Sequence, residues 1–174
     1  MFYAVLLIIF IIIYFIITFN KFIKLNNKVK EAFSTMDIYL KKRWDLIPNL
    51  VEVVKGYADY EKSTLEKIIE LRKISYDDLS SESKLLSNEN LNENITKIMA
   101  LAEAYPELKA NENFKDLAKQ LTKIEDEIAN SRKYYNAIVR DFNNKVQMFP
   151  SSIIACILGY KTHKMFEANL DEKM

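Results

Sequence analysis

The stretch from Phe114 to Phe149, FKDLAKQLTKIEDEIANSRKYYNAIVRDFNNKVQMF, carries the clearest periodicity in this chain. Phe114, Leu121, Ile128, Tyr135, Phe142 and Phe149 recur every seven residues. Leu117, Ile124, Ser131, Ile138 and Lys145 fill the interleaved places, with Val146 as an apolar neighbour where Lys145 breaks the pattern. This 3-4 spacing draws one apolar stripe along an α-helix. Asn113 can cap its start and Pro150 stops its end, which predicts a helix of roughly 37 residues and about 55 Å. So long a helix needs long partners, and the stripe reads as the seam of an antiparallel bundle. The same heptads are compatible with a homo-oligomer.

Toward the N-terminus a second stripe runs Phe22, Val29 and Met36 with Phe33, Leu40 and Ile47, then Leu50, Val54 and Tyr57, and less regularly Leu65, Ile68 and Leu71. Pro48 interrupts it. The phase persists through the proline, as in one kinked helix; equally, Asp45 could cap a new helix whose first turn holds Pro48. The segment Ser75 to Asn94 is rich in Ser, Asp, Glu and Asn and reads as a loop leading into a shorter helix through Tyr105, where Pro106 forces a turn. Glycine is confined to Gly56 and Gly159 and proline to Pro48, Pro106 and Pro150, so hairpin turns are scarce and an all-α fold is expected.

Ahead of both stripes lies FYAVLLIIFIIIYFIITF, Phe2 to Phe19, which contains no charge. Eighteen such residues give about 27 Å of helix, enough to cross a bilayer core. A cleaved leader would carry a basic residue before the run and a small-residue cleavage motif after it; Met1 leads straight into the run, and Thr18-Phe19-Asn20-Lys21 follows. The expected organisation is a transmembrane anchor over residues 1–20 and a helical bundle over 21–174, with a short apolar segment at 150–160. Lys21, Lys24, Lys28 and Lys30 follow the span and none precedes it, so the bulk of the chain is expected on the cytoplasmic side of the cell membrane. Those four lysines would also meet anionic headgroups of the lipid bilayer.

Three blocks resemble the LemA family of bacterial membrane proteins: MDIYLKKRWDLIPNLVEVVKGYADYE at Met36 to Glu61, AEAYPELKANENF at Ala102 to Phe114, and YYNAIVRDFNNKVQMFPSSIIACILGYK at Tyr134 to Lys161. The last block resembles the family's ending of Tyr-Asn, a long helix, Phe-Pro and a short apolar segment, with Leu158 and Tyr160 where phenylalanines are frequent. The resemblance implies a single N-terminal anchor and an up-and-down antiparallel bundle of four helices. It implies no catalytic residues, and some relatives are associated with specialised bacterial membranes.

The residues themselves point away from catalysis. A metallopeptidase helix or a di-iron bundle needs at least two histidines, and His163, read as a solvated side chain near the C-terminus, is the only one. Cys156, also single, sits in the apolar setting SIIACILG and reads as a small buried hydrophobe. Phosphate loops need clustered glycine, which is lacking. With 25 basic and 24 acidic residues, no global field would attract nucleic acid. No cofactor is expected. The sequon Asn94-Ile95-Thr96 carries no weight on the cytoplasmic side.

Two surfaces remain as candidates. Arg43 and Trp44, in a segment dense with charge, read either as part of a solvated helix face or as a protein-docking anchor with its rim. Ile153, Ile154, Ile157 and Leu158 form an apolar run too short to span a bilayer, which either folds back on the bundle or docks into the membrane interface or a partner. The function expected is a non-enzymatic, membrane-anchored scaffold or interaction protein. The alternative is a sensory or regulatory protein binding a small ligand in the bundle near Ser131, Tyr134 and Tyr135.

Overall fold

The computed structural model describes residues 1–57 and 75–166, and apart from one 3-10 turn every regular element among them is an α-helix. Helix α1 runs from Phe2 to Lys55, 54 residues without interruption. The boundary expected at residue 20 therefore falls inside a continuous helix. Every side chain from Met1 to Ile13 is exposed. The most apolar window of α1 has a mean hydropathy of 2.9 with only 6% of it buried. The core helix of a water-soluble protein would be mostly buried, so this surface requires lipid around it. The protein is membrane-anchored through this span, the one helix among the described residues long and apolar enough to cross a bilayer.

Of the two readings at Pro48, the helix that continues is the one observed. Proline forgoes one backbone hydrogen bond and costs about 3 kcal/mol inside a helix. Around it Trp44, Ile47, Leu50 and Val51 are all buried. Full burial of each such side chain is worth about 1.5–3 kcal/mol, which outweighs the proline.

By internal contacts the chain parts into two compact units. The first comprises Met1–Met36 and the chain from Ala129 onward; the second is Asp37–Ile128. The second unit corrects the expected loop at Ser75 to Asn94. After a 3-10 turn at Tyr76–Asp78, helix α2 already begins at Ser81 and runs to Ala104. The Ser80 hydroxyl caps it, accepting from the Ser83 N–H at 3.2 Å. Its polar residues turn inward on their own helix: the Asn88 amide donates to the Lys84 carbonyl at 2.8 Å, Asn94 to Asn90 at 2.9 Å, and Thr96 to Asn92 at 3.0 Å. Leu91, Ile95, Ile98 and Ala102 supply a buried stripe at helical spacing.

The chain turns at Tyr105, and Pro106 occupies the first turn of the short helix α3, Pro106–Ala110. Helix α4 spans Glu112–Gln147. Its cap is Asn111 rather than Asn113, with Asn111 Oδ1 accepting from the Phe114 N–H at 3.0 Å. Phe114, Leu121, Ile128, Ser131, Tyr135 and Phe142 are buried as the heptad requires. Phe149 lies beyond the helix end and is 80% exposed, and Tyr57 is exposed at the end of the other stripe. Leu65, Ile68 and Leu71 fall outside the described residues.

In the first unit α1 and α4 run antiparallel. Phe22 meets Phe142 with ring centroids 6.2 Å apart, and Phe33 meets Tyr135 at 6.1 Å. Val29, Ala32 and Val139 complete the seam. Helix α5, Ser151–Ile157, closes this core with Ile154 and Ala155. It ends in a left-handed glycine: Gly159 has φ +70°, its N–H reaches the Cys156 carbonyl at 3.1 Å, and the Tyr160 N–H reaches Ala155 at 2.9 Å. That paired bonding is the Schellman stop, which favours glycine because a Cβ is strained at positive φ.

Candidate functional site

Two regions hold the side chains that composition singled out. The first is polar and internal, within the unit Asp37–Ile128. Arg43 comes from α1 and is fully buried. Its Nε and Nη2 donate to Asn88 Oδ1 on α2 at 3.1 and 2.7 Å, and Nη2 also donates to the Asn88 carbonyl at 2.8 Å. Nη1 donates to both carboxylate oxygens of Glu125 on α4, at 2.8 and 3.0 Å. One guanidinium therefore ties three helices together, using the planar fork that lysine lacks.

Beside it, Trp44 packs against Tyr76 with centroids 5.5 Å apart. The Tyr76 hydroxyl donates to Asp37 Oδ1 at 2.7 Å, and Lys84 Nζ donates to Asp37 Oδ2 at 2.8 Å while lying over the Tyr76 ring. Burial, and then the Asp37 carboxylate, push the Tyr76 phenol well above its ordinary range, so it stays protonated. At the solvent edge Lys41 and Asp77 pair at 2.6 Å, raising the lysine and lowering the aspartate chiefly through their shared hydrogen bond. That pair is exposed and contributes little.

Arg43 and Trp44 are thus interior side chains. The docking surface expected from them is not the arrangement found, because Asn88, Glu125 and Tyr76 already occupy the contacts a partner would use. The sequence hid this because Glu125 lies 82 residues from Arg43.

The second region lies within the other unit, where α1 leaves the apolar run. Lys21, Lys24, Lys28 and Lys30 are all exposed, as a headgroup contact requires. Tyr14, still inside the run, lines one cleft with Asp141, Asn144, Lys145, Met148, Phe149, Pro150 and Ser151. The Ser151 hydroxyl lies 2.7 Å from the Lys145 carbonyl and 2.8 Å from that of Met148, and so closes the end of α4. The apolar segment divides between two faces. Ile154 is buried and Leu158 packs against the same core, whereas Ile153 and Ile157 point outward.

Cys156 is on the outward side, exposed rather than buried, because Ser151, Ile154, Ala155 and Leu158 take the inward face of α5 at helical spacing. From Tyr160 the chain returns along α1 and α4. Tyr160 stacks on Phe22 at 5.5 Å, and His163 meets Phe142 at 4.9 Å. Two asparagines of α4 hold this returning segment by both edges of their amides. Asn143 donates to the His163 carbonyl and accepts from its N–H, each at 2.8 Å. Asn136 does the same with Phe166 at 2.9 and 2.8 Å. His163 is therefore half-buried instead of solvated, and burial lowers its pKa.

The place expected to take a small ligand is filled from within. Tyr135 lies between Phe33 and Phe166, the latter at 5.4 Å, and Ser131 is buried beside it, while Tyr134 faces out. Among the described residues no three His, Cys, Asp or Glu side chains gather as metal ligands. Neither region brings a nucleophile together with a base and an orienting group.

The sequence profile of the LemA family matches residues 32–174. Protein LemA of Metamycoplasma hominis is 25% identical over 177 residues, covering 95% of this chain and 81% of its own length. Magnetosome protein MamQ 2 of Paramagnetospirillum magneticum is 22% identical, covering 86% of this chain, and magnetosome protein MamQ of Magnetospirillum gryphiswaldense is 21% identical, covering 85%. The chain spans 64% of the length of each of these two magnetosome proteins.

Proposed function

We propose that this chain, which belongs to the LemA family, holds a non-catalytic helical platform on the cytoplasmic face of the cell membrane and recruits protein partners there. The observation that carries the reading is the continuity of α1. One helix serves as the apolar span at Phe2–Phe19 and, without a break, as a core helix as far as Val54. A tether meant only to retain a domain would need no such rigid joint. The four exposed lysines after the span support the cytoplasmic orientation. The similarity to two proteins named as magnetosome proteins is in keeping with this reading.

Arg43 and Trp44 are buried, so recruitment in this proposal uses exposed side chains elsewhere. Proximity labelling from the C-terminus of the full-length protein in cells, against an anchor-only control of residues 1–30, tests the proposal. A reproducible set of cytoplasmic neighbours absent from the control is expected. Neighbours confined to the opposite side of the membrane would reverse the orientation, and identical profiles would remove the recruiting role.

A further inference from the structure

The turn between α4 and α5 leaves a set of large apolar side chains in the open: Met148, Phe149, Ile153 and Ile157 are each more than half exposed. They do not lie at a random place on the surface. Met148, Phe149 and Pro150 share a cleft wall with Tyr14, which belongs to the apolar run of α1. Higher up, the same two helices meet at Phe22 and Phe142, and Tyr160 stacks on Phe22 and meets Phe142 edge to face. Thr18, one turn beyond Tyr14 on α1, is already buried. The α4 end therefore runs down beside α1 past the level at which α1 becomes apolar.

The depth follows from helix geometry. A bilayer core is about 30 Å thick, and the run from Phe2 to Phe19 supplies only about 27 Å, so the whole run is needed to cross it. Tyr14 then lies five residues inside the boundary, about 7 Å below Phe19 along the helix. Met148, Phe149 and Pro150, which line the cleft with Tyr14 from beyond the end of α4, sit at that depth. Of the polar residues of the same cleft, Asp141, Asn144 and Lys145 stand one to two turns earlier on α4, on the headgroup side of the tip, while Ser151 at the tip is buried with its hydroxyl bonded to the Lys145 and Met148 carbonyls. Lys145 can extend its charge further outward. Polar residues above and apolar residues below is the arrangement of an interfacial insertion.

We infer that the α4–α5 turn is a second membrane contact, with Met148, Phe149, Ile153 and Ile157 immersed among the acyl chains of the leaflet on the side of the soluble helices. The lipid is the occupant because the patch is continuous with a surface already lipid-covered. Water would leave four large apolar groups exposed side by side. Ile154, Ala155 and Leu158 then serve as the inner face that holds the wedge to the core. The inference does not depend on which side of the membrane the platform faces, nor on its having protein partners.

The test uses the full-length protein, with Cys156→Ser, in vesicles of phosphatidylcholine and phosphatidylglycerol whose acyl chains carry bromine. A fluorophore is placed singly at Phe149→Cys, Ile153→Cys or Ile157→Cys, with Ile16→Cys as the reference in the span and Lys119→Cys as the reference in solvent. Quenching at the three turn positions comparable to that at Ile16→Cys, and none at Lys119→Cys, is expected. The chosen side chains are exposed, so their replacement leaves the core intact; unchanged helicity by circular dichroism verifies this for each variant. Unquenched probes open to a water-soluble quencher would overturn the inference. So would probes protected from both quenchers, since that result would put a second copy or another protein on the patch in place of lipid.

Discussion

The interiors of the two units are built on opposite chemistry. Around Phe22 and Phe142 the interior is a cluster of rings, mostly edge to face, with Tyr160, His163 and Phe166 laid over it by the returning segment. Around Arg43 the interior is a polar tie in which one buried guanidinium is shared by Asn88 and Glu125. Such ring clusters tolerate small slips because dispersion and area burial are non-directional. A bidentate guanidinium does not, since its donors meet their acceptors in one register only. The unit carrying the span is thus built for bulk, and the other for a fixed alignment of three helices.

Substitutions can separate these two modes. The largest effect is expected for Phe142→Ala, which removes the ring contacted by Phe22, Tyr160 and His163. Loss of about 3–5 kcal/mol is expected for a buried phenylalanine, read as a lower thermal midpoint of the detergent-solubilised full chain. Phe142→Leu should recover much of it if bulk is what matters. Arg43→Lys probes the other mode. It keeps the charge but loses the fork, and about 2–3 kcal/mol is expected from broken charge-assisted bonds. If Arg43→Lys proved as stable as the parent in urea titration, the alignment role of the guanidinium would be lost.

Asn143→Ala should cost about 1–3 kcal/mol, because it strands a carbonyl and an N–H of His163. Hydrogen exchange at the His163 amide, faster in the variant while amides of α2 keep their rate, is the readout. The smallest effect concerns pH. Burial lowers the His163 pKa below its ordinary 6.5, so the folded chain binds fewer protons there than the unfolded one. The stability this neutral ring contributes is present above about pH 6.5. It falls as the pH drops from there through the lowered folded value, and His163→Phe should remove that part of the slope. The same pH titration of both proteins by circular dichroism melting separates His163 from the carboxylates.

How much of this was legible in the sequence depends on which residues filled the core. The seams of α1 and α4 could be read from Phe22, Val29 and Met36 and from Phe114 through Phe142, because apolar side chains at heptad spacing have one use in such a helix. Helix α2 was obscured because Asn88 and Asn94 satisfy their amides on the preceding turn, so loop-like residues sit in a helix. Arg43 resembled a rim residue because charges are almost never buried unpaired, and its partners come from elements far along the chain. Cys156 and His163 were misplaced for a simpler reason. Seven residues of α5 do not reveal which face turns inward, and a segment held by side-chain amides leaves no periodic trace.

The unbroken course of α1 makes the protein responsive to bilayer thickness. Its apolar run, about 27 Å long, is slightly shorter than an average hydrocarbon core, and a span of that length fits thinner membranes best. In a thicker membrane the lipid must compress around it, and in a thinner one the span must lean. With no hinge at residue 20, any lean is inherited by the stretch of α1 that follows the span within the first unit, as far as Met36. Such a helix converts a difference in membrane thickness into an angle outside the membrane, and it would sort the protein toward the thickness that leaves it upright.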